Sequence, residues 1–151
     1  MNPQTIARVT GVLFVITYLT SIPPFILLYP PVVGDPRSIV GAGADTNAVL
    51  GAFLELLLII ANLGTTLVPF AIFKRVNESL ALGYVTARVM ESVFIAVGIL
   101  CILTIVTLRQ ESAGAAGADT GALLAVGAAL VAMHAWTFAL GPGFVVGIGT
   151  G

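Results

Sequence analysis

The chain has 151 residues, 58% of them hydrophobic and 9% charged, with a net charge of −1 and a mean hydropathy of +1.10. Soluble domains carry about 25% charged residues, so a water-soluble globule is excluded, and the charge balance rules out a polycationic nucleic-acid binder or a polybasic lipid-headgroup patch. The single cysteine, Cys101, excludes a disulfide framework and a paired-cysteine metal site.

Four apolar segments follow one another, at about 6–29, 47–73, 80–108 and 121–140. A spanning helix needs about 20 apolar residues, and each segment qualifies. The expected fold class is all-α: a polytopic transmembrane bundle of four spanning helices with a partial fifth, forming a single integral membrane domain. The first segment is too long for the core of a signal peptide and is followed by no small-x-small cleavage site, so it reads as a retained helix.

Pro23-Pro24 removes two backbone donors, so the first helix is expected to kink or break near Ser21-Ile22 and to end at Pro30-Pro31. Phe25 to Tyr29 reads as a last turn or an interfacial segment. The following loop holds Gly34-Asp35-Pro36 and Gly41-Ala42-Gly43, which are turn residues. Asp45 or Thr46 is expected to cap the second helix. The phrase Gly-Ala-Asp-Thr stands at 43–46 and again at 117–120, which reads as one capping solution used twice.

Residues 74–79 form a short connection that makes the second and third helices an antiparallel hairpin. The loop from Arg109 to Thr120 precedes the fourth helix, which Gly141-Pro142-Gly143 should end. Trp136 and Phe138 are expected to pack near that element. Residues 142–151 then read as the opening turns of a fifth helix, so the chain resembles the N-terminal part of something longer. With the N-terminus inside, Arg8, Lys74 and Arg75 are cytoplasmic while Arg37 and Arg109 are outside. The expected location is the cell membrane, multi-pass, with the N-terminus cytoplasmic.

The chemistry lies in ionisable groups inside the apolar segments: Glu55, Arg88, Glu91 and His134. Such groups are expensive in a bilayer and need a partner, a cavity or a task. At about 1.5 Å rise per residue, Asn62, Glu91 and His134 fall at one level, roughly 20–25 Å from the outer helix ends. Arg88 lies about one turn further in, and Glu55 is shallower at about 12 Å. Glu55 and Asn62 share one face of the second helix, with Thr66 continuing it, and Tyr84, Arg88 and Glu91 share one face of the third. The candidate binding cluster is therefore Glu55, Asn62, Tyr84, Arg88, Glu91 and His134.

A plainer reading uses the same residues. Arg88 and Glu91 pair at i, i+3, and Asn62 is interhelical glue worth about 0.6 kcal/mol. Against it stand the excess of acids over bases and the absence of an evident partner for Glu55. Met90, Met133 and Cys101 read as packing or lipid-facing residues. There is no phosphate loop, nucleophile elbow or paired-histidine motif, so no cofactor or metal is expected.

Several segments together resemble one family. Ala7-Arg8 with Gly11-Val12-Leu13, Gly51-Ala52-Phe53-Leu54-Glu55 with Ala61-Asn62, and Lys74-Arg75 with 77–84 carry the likeness. So do Arg88 with Glu91-Ser92, and His134 with Trp136-Thr137-Phe138 and Gly141-Pro142-Gly143. In that order they are similar to the domain of unknown function 4386 family of prokaryotic polytopic membrane proteins. The resemblance implies the topology above and further helices after Gly-Pro-Gly in longer members, and it supplies no reaction. Three functions remain open: binding or transport of a small ligand, cation or proton through the polar cluster; a structural or assembly subunit; and an intramembrane enzyme with a Glu91/His134 acid–base pair. The partners expected are the lipid bilayer and a small ligand, with a homo-oligomer left open and no nucleic acid.

Overall fold

The structure is a computed structural model that describes residues 2–34, 45–114 and 119–149. Helix α1 (Pro3–Pro23) continues into a π-helical turn (Pro24–Leu28) and the four-residue α2 (Pro30–Val33). Three long helices follow: α3 (Asp45–Val76), α4 (Glu78–Gly114) and α5 (Thr120–Gly149). Four helices are long and apolar enough to cross a membrane. The all-α bundle read from the sequence is the fold of this protein.

The first helix does not break where its prolines begin. Pro23 and Pro24 supply no N–H, and the backbone widens by one residue, with the Tyr29 amide donating to the Pro24 carbonyl at 2.9 Å. In a membrane no water replaces a lost backbone bond, so a π turn costs less than an open break. Upstream, the Thr17 and Thr20 hydroxyls donate to the carbonyls of Leu13 and Ile16, each at 2.8 Å. The first span ends at Leu28, as expected from Pro30-Pro31, and the short α2 restarts at Pro30, where Pro needs no donor.

Helices α3 and α4 are longer than expected and a single residue, Asn77, separates them. Its side-chain oxygen accepts from the Leu80 amide at 3.2 Å, so Asn77 caps α4. Lys74 and Glu78 close the corner as an exposed pair at 3.4 Å. Asp119 caps α5 by accepting from Gly121 and Ala122 at 3.0 and 3.3 Å. Helix α5 passes through Gly141-Pro142-Gly143, so residues 142–149 extend it instead of opening a fifth helix. A buried helix keeps its ladder when one donor is lost, because the alternative is several unpaired groups in hydrocarbon. The turns expected at 35–43, Arg37 and the first half of each Gly-Ala-Asp-Thr phrase lie outside the described residues.

Packing runs α1 on α3, α3 on α4 and α4 on α5, with the π turn also seated on α3. The α1–α5 side is left open by the main chain and is bridged by Phe25 stacked on Phe138, ring centroids 4.7 Å apart. Tyr29, Ala48, Ile102, Ile105 and Val106 form the buried apolar core, in the half of the bundle near Asp45 and Arg109. Cys101 is buried beside it. Trp136 points outward, 67% exposed, while Phe138 turns inward onto Phe25.

Gly51 creates the slot for Tyr29. A Cβ there would lie 2.5 Å from Tyr29 Cε1, whereas a Cβ at Gly83 meets nothing within 4 Å. Gly51→Ala should displace Tyr29 and lower stability by about 1–3 kcal/mol, and Gly83→Ala should leave it unchanged or slightly raised. Unfolding temperatures of the two variants in detergent check this pair; equal values would refute the slot.

Candidate functional site

The antiparallel register of α3 and α4 sets opposite-facing polar groups against one another at two levels. Near one end, Arg109 Nη1 donates to Asp45 Oδ1 at 2.6 Å, with the guanidinium almost fully buried. The sequence reading placed Arg109 in a loop. Because α4 extends to Gly114, the residue is instead part of the bundle and is neutralised by the first turn of α3.

The second level is the network expected around Asn62, Arg88 and Glu91. Arg88 Nη1 donates to Glu91 Oε2 at 2.7 Å, and Nη2 donates to Thr65 Oγ1 at 3.1 Å. Asn62 Nδ2 reaches Ser92 Oγ at 3.0 Å and Glu91 Oε2 at 3.3 Å. The Thr65 and Ser92 hydroxyls donate to the Asn62 and Arg88 carbonyls at 2.7 and 2.9 Å. Two buried atoms of the network, Arg88 Nε and Asn62 Oδ1, have no partner among the described residues. Thr65 and Ser92 escaped the sequence reading, although each stands one turn from a named member: Thr65 at i+3 from Asn62, Ser92 at i+4 from Arg88.

Glu55 lies apart from this network and is 5% exposed. Its partner is a phenol: Tyr29 Oη donates to Glu55 Oε2 at 2.6 Å. Tyr29 reaches it because the π turn carries the chain back onto α3, opposite Gly51. No spacing in the sequence signals that contact.

Glu55, Arg88 and Glu91 nevertheless share one cavity of about 320 Å³. Phe14, Thr17, Tyr18 and Ser21 of α1 line it, with Leu58, Ile95 and Phe138 from α3, α4 and α5. It occupies the open α1–α5 side of the bundle. Arg88 and Glu91 cancel in charge, so Glu55 is the carboxylate in this cavity that no protein cation faces among the described residues.

Two candidate residues are not brought to it. Tyr84 sits edge-on to Phe73 at 5.8 Å, beside the Asn77 corner, and lines a separate apolar hollow. It stands about 6 Å along the helix from Arg88, which takes it past the end of the network. His134 packs edge-on against Tyr29 at 5.1 Å, and its ring lies over Gly98. It lines a second cavity of about 520 Å³ with Phe25, Tyr29, Val131 and Phe138. Glu91 lines the other cavity, and among the described residues no hydrogen bond joins it to His134, so the Glu91/His134 acid–base pair is not made. Among the described residues no group of acids, histidine and cysteine could hold a metal ion.

The fold is that of a multi-pass α-helical membrane protein, with Glu55, Arg88 and Glu91 on the wall of a cavity at its α1–α5 side. The family described as Domain of unknown function (DUF4386) matches residues 9–150, and the chain belongs to it. No curated protein and no solved structure matches.

Because Arg88 and Glu91 are buried together, removing one should cost far more than removing both. Arg88→Met should destabilise by about 3–5 kcal/mol, and the double variant Arg88→Met/Glu91→Leu should recover most of that. A double-mutant cycle of unfolding in detergent reads the coupling, and additive losses would show the pair to be independent.

Proposed function

We propose that the protein binds a small cation, proton or polar ligand in the cavity between α1 and α5, as an intramembrane binding or transport site. The observation that supports this is Glu55. It is a buried carboxylate on a cavity wall, its hydrogen-bond partner is a neutral phenol, and the neighbouring guanidinium is taken by Glu91. A ligand with positive charge would complete it. The unpartnered Arg88 Nε and Asn62 Oδ1 add polar capacity next to the same space. The Lys74-Arg75 pair at the α3–α4 corner supports a cytoplasmic N-terminus in a cell membrane.

Stability linkage tests the reading. A ligand at a hundred times its Kd adds about 2.7 kcal/mol. A panel of protons, alkali cations, ammonium and quaternary ammonium ions should therefore contain at least one that raises the unfolding temperature of the purified protein. Glu55→Gln should remove that shift while the variant still inserts. If no member of the panel moves the wild type, the site reading fails.

A structural role is the second reading, favoured by the hydrogen bonds that join Arg88, Glu91, Asn62, Thr65 and Ser92 across α3 and α4. Glu55→Leu separates the two. A variant more stable than wild type marks Glu55 as a residue retained at a cost for function; a variant that collapses marks it as glue.

A further inference from the structure

We infer that the ligand of the Glu55 cavity is a monovalent organic cation with an apolar body, which enters sideways from the bilayer between α1 and α5. The inference rests on the cavity being a binding site and names what the site selects.

Size is the first argument. About 320 Å³ is roughly ten times a water's share of liquid volume, about 30 Å³, and falls at the lower end of small-molecule pockets, about 300–1,000 Å³. A bare alkali ion needs several oxygens converging on one point. Here the Thr17 hydroxyl donates to its own helix, and the Glu91 carboxylate is held by Arg88 and Asn62. Glu55 is left as a single charge at one place on a wide wall.

Beside Thr17, Ser21 and the Arg88–Glu91 pair, the wall is apolar and aromatic. Phe14, Tyr18 and Phe138 surround the space with Leu58 and Ile95. Aromatic faces attract a desolvated cation through their quadrupoles, and quaternary ammonium groups suit them well. An anion would be repelled by Glu55, and a neutral hydrocarbon would leave that charge unanswered.

Access follows from packing. The main chains of α1 and α5 do not close on each other. Rim residues Tyr18 and Phe14 are 65% and 39% exposed at the α1–α5 seam. Toward the half of the bundle that holds Asp45 and Arg109, Tyr29 and the Phe25–Phe138 stack separate this cavity from the one lined by His134.

The test uses the full chain in lipid nanodiscs, with dicyclohexylcarbodiimide modification of Glu55 read by mass spectrometry. Benzyltrimethylammonium, at ten times its Kd, should slow that modification about tenfold. Its uncharged isostere neopentylbenzene should not, nor should sodium or potassium. Phe138→Leu should weaken protection by the quaternary ammonium ion. Protection by sodium or potassium alone would overturn the organic-cation class while leaving the site standing. Equal protection by neopentylbenzene would overturn recognition by charge. If Glu55 is never modified and no cation shifts the unfolding temperature, the cavity reading falls and this inference with it.

Discussion

A guanidinium inside a bilayer has to be neutralised and hydrogen-bonded by the protein that buries it, and Arg88 imposes that condition on the whole bundle. Its solution needs Glu91 one turn away on α4 and Thr65 on the facing α3. The bonds from Arg88 to Thr65 and from Asn62 to Ser92 and Glu91 tie this cluster across to α3 at one register. Arg109 with Asp45 repeats the condition at the opposite end of the pair. Two buried cations at fixed separation thus clamp α3 against α4, and the apolar core of Ala48, Ile102, Ile105 and Val106 fills in near the second clamp. Hydrocarbon packing alone would not choose this register, since lipid tails are as apolar as the residues they replace.

The clamp also explains why Glu55 is left over. It lies two turns from Asn62 on α3 and makes no ion pair with Arg88, whose Nη1 and Nη2 are taken by Glu91 and Thr65. Its partner then has to come from elsewhere, and the π turn supplies it by returning Tyr29 to the Gly51 slot. One set of polar residues holds helices together, and one carboxylate faces a cavity with its charge unanswered.

The open α1–α5 side follows from the same economy of contacts. Each of these helices has one strong neighbour, α3 for α1 and α4 for α5. The seam between them is bridged by side chains, the Phe25–Phe138 stack and the Tyr29–His134 edge contact. Aromatic contacts of this kind are worth about 0.5–1.5 kcal/mol each beyond their burial, small enough to open and close. A π turn directly beside them gives α1 a place to bend. Motion of α1 against α5 would concentrate at this seam, leaving the α3–α4 clamp intact.

The four spans, the α3–α4 hairpin and the Arg88–Glu91–Asn62 network were legible in the chain itself. Hydropathy counts residues, and a helical period of 3.6 places i+3, i+4 and i+7 on one face whatever the helix touches. The partners of Arg109 and Glu55 were not legible, nor was the removal of Tyr84 and His134 from the cluster. Asp45 lies 64 residues from Arg109 and Tyr29 lies 26 from Glu55, and no local rule links positions so far apart. The proline and glycine signals were read as breaks because their rules come from water, where an unpaired carbonyl finds a solvent donor. In the bundle the ladder bends, widens or carries on. Sequence alone determined that this is a membrane bundle with charges it must resolve. Only the packed helices decided which charges cancel and which one is left facing a cavity, because that depends on distances between segments that the chain order does not encode.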